Sequence, residues 1–215
     1  MCVEFLSESD LSDLDNPLFI DLPPVAEDPT QTRTFPGGFA PVISNYNGSL
    51  SFRRMKFGLV PSWSSTQNIK FGNHNTRIET AFEKPAWSDS IKSYRCIIPI
   101  KAYFEPISVG ANYGTVVKIS SESNKTLLLA GIFSLWRDEL LSFSIVTEEP
   151  DAFTSALSHD RQPIALLAKD ALKWIAPGEL LRETLPSYLS PDRERPLLIS
   201  SFDRYLKGGR QLNLL

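Results

Sequence analysis

The chain has 215 residues, enough for one large domain or two small ones, and its 42% hydrophobic and 22% charged residues are typical of a globular protein. Two cysteines, Cys2 and Cys96, exclude a disulfide framework, and no Cys/His cluster has metal-site spacing, so we expect no metal and no cofactor. The net charge of −3 argues against a uniformly basic, nucleic-acid-binding surface.

The acidic charge is concentrated at the N-terminal end of the sequence. Residues 1–32 hold eight Asp and Glu residues and no Lys or Arg, which leaves 17 acidic against all 22 basic residues, about +5, on residues 33–215. A basic groove on the body of the protein is compatible with this distribution. The first residues have neither a basic start nor a long apolar run. We therefore expect no secretory signal, no membrane segment, and a cytoplasmic location, or a nucleoid-associated one if the protein works on DNA.

Residues 21–38 are rich in Pro, Asp and Gly and are predicted to form a loop or an extended arm. Short strand-like segments follow: Pro41–Ser44, Ser49–Arg53, Arg95–Ile100, Tyr103–Ile107, Thr115–Ile119, Thr126–Trp136, Ser142–Thr147 and Pro163–Leu167. Helical patterns are fewer: Thr76–Phe82, Asp151–Leu157 and Lys169–Ile175. Strands outnumber helices and do not alternate with them regularly. We therefore predict a single α+β domain over residues 1–215, built on a curved, mostly antiparallel β-sheet or barrel with peripheral helices, and with the acidic segment 3–32 packed on or flanking it.

Cys2 is the first candidate for chemistry. Initiator methionine is generally removed before a small residue, and removal would give the chain an N-terminal cysteine. An α-amine titrates near about 8, so a useful fraction of it is neutral and nucleophilic at pH 7. Such an amine attacks an aldehyde to give an imine, and the neighbouring thiol then closes a five-membered thiazolidine ring. The alternative is that a cysteine stands at position 2 by accident.

A second group of candidates lies between residues 57 and 80. Arg77 could bind a phosphate, and Trp63 could offer a stacking surface to an unpaired base. The alternative interpretation is structural, with Asn75 as the N-cap of the predicted helix and with Arg77 and Glu79 in its solvated first turn.

Glu105 follows an apolar run, and a carboxylate in such a run is either paired or functional. Burial would raise its pKa and allow it to exchange protons near neutrality. The alternative is a salt bridge with Lys101 or Arg95.

His159 begins the polar junction His159–Pro163 between a predicted helix and a predicted strand, a place where active-site residues are common. A histidine beside an arginine suits proton transfer next to a phosphate. The alternative for His159 is a cation at a helix C-terminus.

Together these segments resemble the SOS-response-associated peptidase (SRAP) family. The matching pieces occur in the family's order and near its spacings over about residues 1–167: Cys2, Phe57–Trp63, Asn75–Thr80 with Glu83–Pro85, Arg95–Pro99, Glu105, Ala130–Gly131, Ser144–Thr147 and His159–Pro163.

The resemblance implies a single α+β domain that binds single-stranded DNA and crosslinks to abasic sites through a thiazolidine. It implies that Cys2 is the nucleophile, that Asn75 orients the amine or the sugar oxygen, and that Glu105 is the general acid–base. His159 would help to open the sugar ring to its aldehyde. The implied DNA-binding residues are Trp63, Arg77, Thr147 and Arg161. The family name also implies self-removal of Met1, and we expect a monomer whose partner is abasic single-stranded DNA.

The sequence departs from the family pattern at several positions. Val3-Glu4 stands where the family has Gly-Arg, and replacing a phosphate-binding Arg by an acid should weaken DNA affinity. Residues 34–38 read Thr-Phe-Pro-Gly-Gly in place of an Asn-Val-Ala-Pro-like stretch. Pro106 follows Glu105 where a Trp is usual, and Gln162 occupies a position that is usually Met or Arg.

Two functions of other classes stay open at this point. A cysteine peptidase could use Cys2 with His159 and Glu105 or Asn75 to cleave other proteins. A non-covalent single-stranded DNA-binding protein would need only the groove. Denaturing gels of the protein with abasic and intact oligonucleotides would separate these functions from covalent crosslinking.

Overall fold

The computed structural model describes residues 2–23, 32–46, 48–67, 72–106, 116–157, 159–190, 192–193, 195–206 and 210–212. Residues 201–206 and 210–212 are described by their backbone alone. The predicted fold class is confirmed, because these residues form a single α+β unit on a curved, mostly antiparallel sheet.

The strands in chain order are β1 Phe5–Ser7, β2 Arg33–Thr34, β3 Phe39–Tyr46, β4 Ser49–Phe57, β5 Asn75–Arg77, β6 Arg95–Pro106, β7 Val116–Ser121, β8 Leu127–Trp136, β9 Leu140–Glu148, β10 Gln162–Pro163, β11 Ala165–Leu166, β12 Leu198–Leu206 and β13 Arg210–Leu212. The α-helices are α1 Pro17–Ile20, α2 Ser88–Ser93, α3 Ala152–Ala156 and α4 Ala168–Trp174, with 3₁₀ helices at Ile78–Thr80 and Arg182–Ser187. None of the helices in the described ranges is long and apolar enough to cross a membrane.

Five of the strands close into a barrel in the order β8, β9, β4, β3, β6 and back to β8. The β4–β9 pairing is parallel, and the other four pairings in the ring are antiparallel. Successive side chains of a strand point to opposite faces, so each barrel strand contributes to two separate cores.

The inner core is aromatic where β1 meets the barrel. The rings of Phe57 and Phe143 stack with their centroids 5.1 Å apart, and Phe5 meets Phe57 edge-on at 5.2 Å. The outer core forms where helices cover the barrel, and Trp174 of α4 is fully buried there. Its indole N–H donates to the carbonyls of Cys96 and Gly131, which fixes α4 against β6 and β8.

The N-terminal segment runs antiparallel to β6. Phe5 lies opposite Tyr103 in the ladder, and the Phe104 amide donates to the Glu4 carbonyl at 2.9 Å. Continuing this register toward the N-terminus takes Cys2 past Glu105. The fold therefore brings together two candidates that are about a hundred residues apart in sequence.

The predicted helix Thr76–Phe82 is wrong. Its first residues form β5, which pairs in parallel with β9 and places Asn75 opposite Ile145, and only the 3₁₀ turn Ile78–Thr80 is helical. The ladder with β9 supplies hydrogen bonds that local helix propensity did not anticipate. Thr76 adds a hydroxyl–hydroxyl contact with Ser144 at 2.7 Å, and Asn75 is consequently not an N-cap.

Other predicted elements differ mainly in extent. Arg95–Ile100 and Tyr103–Ile107 form one continuous strand, β6, and Pro163–Leu167 divides into the short strands β10 and β11. The strands β1, β2, β12 and β13 and the helices α1 and α2 were not predicted. The predicted helix Asp151–Leu157 begins one residue too early, because Asp151 is the N-cap of α3 and accepts from the Thr154 amide at 2.9 Å. The ends of two predicted strands, Ile107 and Thr115, and residues 24–31 of the loop predicted over residues 21–38 lie outside the described residues.

The acidic N-terminal segment binds to the body of the domain. Asp13 accepts from Lys101 at 2.6 Å and from the Thr126 amide at 2.8 Å, and Asp15 pairs with Lys125. Much of the negative charge in the first fifteen residues is therefore neutralised locally.

Candidate active site

Cys2 and Asn75 meet at the end of the barrel where β5 begins. The Asn75 side-chain amide donates to the Cys2 carbonyl at 2.8 Å, which ties the start of the chain to β5. Both residues are buried, and the second polar atom of the Asn75 side chain, Oδ1, has no hydrogen-bond partner in the described part of the chain. Asn75 thus holds the backbone of Cys2 and keeps a buried acceptor at the same place.

The Cys2 thiol is in an apolar and electronegative environment. Burial is the main reason why its pKa is raised well above the usual value, and the nearby carboxyl of Glu105 raises it further. At neutral pH the thiol is therefore protonated, and a base is needed to take its proton before it can attack a carbon atom.

Glu105 is a buried carboxyl on β6, and burial raises its pKa. His159 Nδ1 lies 3.8 Å from Glu105 Oε2. Burial also lowers the pKa of His159, against a smaller opposing effect of Asp160. Both shifts favour the uncharged form, so the two groups are suited to passing a proton between them.

The salt bridges considered for Glu105 are not formed. Lys101 binds Asp13, and the Arg95 guanidinium donates to backbone carbonyls at the end of α4, including Trp174 O at 2.7 Å. His159 does not cap α3 with its ring either, because the imidazole points to Glu105.

Thr147 and Arg161, which were expected to line a DNA groove, are both buried in the folded chain. Arg161 donates to both carboxylate oxygens of Glu79, at 3.0 and 2.8 Å, and to the Thr147 carbonyl at 2.8 Å. Burial alone would raise the pKa of Glu79, but the hydrogen bonds and charge of Arg161, with the charge of Arg77, lower it overall. The pair fixes the 3₁₀ turn after β5 onto β9.

Trp63 and Arg77 are the two expected DNA-binding residues that the structure places at the surface. Trp63 is 63% exposed, and its indole N–H donates to the Pro85 carbonyl at 3.2 Å, so its orientation is held while much of the ring stays open. It borders a cleft of about 430 Å³ that Tyr94 and Pro61 also line. Arg77 is exposed at the end of β5, two residues after Asn75.

Two departures from the family pattern have structural counterparts. Glu4 forms an ion pair with Arg33, whose guanidinium also lies 4.7 Å from the centre of the Phe104 ring, so the acid at this position is neutralised by a nearby cation. Gln162 donates to Glu148 and accepts from the Asp151 amide, both at 3.0 Å. It thereby braces the segment that carries His159.

Sequence reasoning missed Tyr103, which shares a face of β6 with Glu105. The phenol is buried, its hydroxyl has no partner in the described part of the chain, and burial followed by the charges of Cys2 and Glu105 raises its pKa. The spacing of two residues from Glu105 was the available signal. Among the described residues, no group of three His, Cys, Asp or Glu side chains is placed to hold a metal ion.

Comparisons with known proteins found one family model and several relatives with the same kind of name. The family model described as SOS response associated peptidase (SRAP) matches residues 1–202. The abasic site processing protein YoaM of Bacillus subtilis is 29% identical over 153 residues, which is 69% of this chain and 67% of that protein. The abasic site processing protein YoqW of the same organism is 26% identical over 196 residues, 89% of this chain and 87% of that protein.

Solved structures share the fold. A crystal structure of a protein from Bordetella bronchiseptica has a TM-score of 0.73 at 20% identity and covers 94% of this chain and 99% of that one. A protein from Bacteroides thetaiotaomicron has a TM-score of 0.71 at 22% identity, covering 94% and 92% of the two chains.

Proposed function

Since the chain belongs to the SOS response associated peptidase (SRAP) family, and its relatives are named as abasic site processing proteins, we propose that it senses abasic sites in single-stranded DNA. In this proposal it binds the strand and forms a covalent thiazolidine through Cys2 once Met1 has been removed. The observation that carries the proposal is the meeting of Cys2, Asn75, Glu105 and His159 at one end of the barrel.

The reaction joins the aldehyde form of the abasic sugar to both groups of the N-terminal cysteine. The α-amine adds to the aldehyde carbon, the resulting carbinolamine loses one water molecule, and an imine forms. The thiol sulfur then adds to the imine carbon and closes the ring. The nitrogen keeps the hydrogen it carried in the carbinolamine, and the thiol proton restores the acid that protonated the departing hydroxyl, so aldehyde, amine and thiol give the thiazolidine and water.

Glu105 and His159 supply the protons for these steps. The departing hydroxyl of the carbinolamine needs a proton, and a protonated Glu105 has one to give because burial raises its pKa. The resulting carboxylate can then accept the proton of the Cys2 thiol. Neutral His159 is placed to assist the opening of the sugar ring by exchanging a proton with Glu105.

Removal of Met1 is a necessary first step of this mechanism, because the nitrogen of Cys2 is an amide while Met1 precedes it. We propose that Cys2 itself performs this step. The thiol attacks the Met1 carbonyl carbon, the cysteine nitrogen leaves as an amine, and water hydrolyses the thioester to release methionine. A fully buried thiol suits one such intramolecular reaction better than repeated cleavage of other proteins.

The DNA strand in this proposal crosses the surface beside β5. Arg77 binds a phosphate, and Trp63 stacks on an unpaired base. Thr147 and Arg161 have the supporting task of fixing β5 and the turn after it through their contacts with Thr76 and Glu79.

The experiment is a crosslinking assay with the full chain expressed without an N-terminal tag. Intact-mass spectrometry should show that the chain begins at Cys2, and a denaturing gel should show a shifted band with an abasic oligonucleotide but not with an intact one. Cys2→Ala should abolish the shifted band. Retention of Met1 in most molecules, or no band from the wild-type protein, would overturn the covalent mechanism.

Cys96→Ala is the matched control. Cys96 is buried inside the barrel, and burial raises the pKa of its thiol, so it should be inert. This variant should crosslink like the wild type. Equal loss of crosslinking in both cysteine variants would point to a damaged fold and not to the N-terminal aminothiol.

A further inference from the structure

A pocket of about 240 Å³ opens at the rim of the barrel next to the proposed site. Lys56 and His74 line it together with the polar side chains of Gln67 and Asn73 and the backbone of Gly37. No Asp or Glu occurs among its described lining residues. A pocket with a cation, neutral donors and no carboxylate has the composition of an anion-binding site.

The sheet fixes the distance between this pocket and Asn75. The ends of β4 and β5 pair in parallel with successive parts of β9, with Phe57 opposite Phe143 and Asn75 opposite Ile145. Two residues along a strand span about 7 Å. Neighbouring phosphates along an extended nucleic-acid strand are a similar distance apart, and each sugar lies between two of them. A sugar at Asn75 therefore has one of its phosphates within reach of the pocket.

His74 is held in one orientation at the mouth of this pocket. Its ring meets Phe57 edge-on with the centroids 5.8 Å apart. A side chain at position 72 would have its Cβ 2.5 Å from His74 Cε1, so Gly72 leaves the room that the imidazole occupies. Burial lowers the pKa of His74, and at pH 7 the ring is therefore a neutral hydrogen-bond donor.

We propose that this pocket binds the phosphodiester group adjoining the abasic sugar, with Lys56 neutralising the phosphate and His74 donating a hydrogen bond to it. The inference rests on the proposed function, because the position of the sugar is taken from Cys2 and Asn75. It adds a subsite on the opposite side of Asn75 from Arg77 along the chain. The strand would thus contact a cation on each side of the reacting sugar, Lys56 on one side and Arg77 on the other.

The first test is the salt dependence of binding to intact single-stranded DNA. Each phosphate contact contributes about 0.7 to the slope of log affinity against log salt for a single strand. Lys56→Gln should lower the slope by about this amount and weaken binding about fivefold at 0.1 M salt. Lys56→Arg should retain the slope. His74→Phe, which keeps the ring contact with Phe57, should weaken binding without altering the slope.

The second test locates the phosphate. Oligonucleotides carrying a single uncharged methylphosphonate at successive positions around a tetrahydrofuran analogue of the abasic site, which has no aldehyde and cannot crosslink, are bound to wild-type and Lys56→Gln protein. One position should weaken wild-type binding and leave the variant almost unaffected, because the variant has already lost that contact. Equal losses for both proteins at every position would overturn the subsite, as would an unchanged salt slope in Lys56→Gln.

Lys125→Gln is the control for removing one positive charge. Lys125 pairs with Asp15 near the start of β8, away from the proposed site, and its loss should leave the salt slope unchanged. Both binding tests work on protein that does not crosslink. If the protein does not crosslink but Lys56→Gln still lowers the salt slope, the proposed chemistry is overturned and the phosphate site is retained.

Discussion

Glu105 is the residue on which the proposed chemistry depends most. General acid–base groups typically contribute about 10²–10⁴-fold to a rate, so Glu105→Gln should slow crosslinking by that order. Affinity for intact DNA should change little, since a neutral group of the same shape removes no phosphate contact. Single-turnover crosslinking measured beside equilibrium binding checks both statements. A wild-type rate in the variant would make Glu105 a structural residue.

The same carboxyl should also govern how stability depends on pH. Burial raises the folded-state pKa of Glu105 above its usual 4.5. The folded protein therefore holds this proton more tightly than the unfolded chain, and the stability it contributes is complete below about 4.5 and is lost as pH rises through the folded pKa. Glu105→Gln should thus gain stability relative to the wild type as pH rises from 4 to 8.

Urea unfolding at a series of pH values measures that difference. His159 titrates in the same range, with a lowered pKa that costs stability as pH falls below its usual 6.5. Measuring the effect of Glu105→Gln in a His159→Gln background removes this contribution. A stability difference that does not vary with pH would show that the carboxyl titrates alike in the folded and unfolded chains.

Individual site residues differed in how well their positions could be predicted. Glu105 was recognisable because a carboxyl within an apolar strand needs a partner or a task. The contact of Asn75 with Cys2 joins residues 73 positions apart and depends on the β1–β6 register, which no local pattern reports. Arg161 was expected to line a DNA groove because of the family resemblance, and the position of Glu79, which no local pattern reports, explains its burial.

At the level of elements, alternation and turn residues predicted the long strands well. β3, β8 and β9 were found within a few residues of their ends. Most errors fell on short elements whose hydrogen bonds come from distant partners, but the nine-residue strand β12 was not predicted either. β5 looked helical because its next residues are a 3₁₀ turn, and β1 was missed because three residues carry too little pattern to identify.

The Glu79–Arg161 ion pair should be the side-chain interaction that stabilises β5 most. Glu79→Ala leaves a guanidinium that is only 8% exposed with Thr147 as its remaining partner, so it should lower the free energy of unfolding by about 3 kcal/mol. Arg161→Ala should lower the free energy of unfolding by less, because the Glu79 carboxylate that it leaves unpaired is 41% exposed and can be hydrated. Urea denaturation of both variants measures the asymmetry.

The exposed pair between Arg182 and Glu83 is the control for that comparison. Its side chains are 50% and 62% exposed, and breaking it with Arg182→Ala should cost less than about 1 kcal/mol. If Glu79→Ala were no more destabilising than Arg182→Ala, β5 would be held by its backbone ladder with β9 and not by this ion pair.

At the scale of the whole molecule, the net charge of −3 hides a separation of charge. Acidic residues of the N-terminal segment are bound to Lys101, Lys125 and Arg33. Arg77 lies at the end of β5 with an exposed side chain, and its neighbour Glu79 is occupied by Arg161. The surface beside the proposed site can therefore attract a polyanion although the protein as a whole is acidic.

This separation predicts that two substitutions in the proposed groove both lower the affinity for single-stranded DNA but differ in their effect on its salt dependence. Arg77→Ala should weaken binding of single-stranded DNA and lower its salt slope by about 0.7, because one phosphate contact and its released counterion disappear. Trp63→Ala should weaken binding by about 1–3 kcal/mol with the salt slope unchanged, because stacking of a base on an indole releases no counterion. Affinity titrations at several salt concentrations, with intact single strands, measure both.

Arg182→Ala again serves as the control, since its guanidinium is bound to Glu83 and its loss should change neither affinity nor slope. A slope that falls equally in the Trp63 and Arg77 variants would mean that the tryptophan acts by shaping the surface around the cations, and an unchanged slope in Arg77→Ala would place the DNA strand elsewhere on the protein.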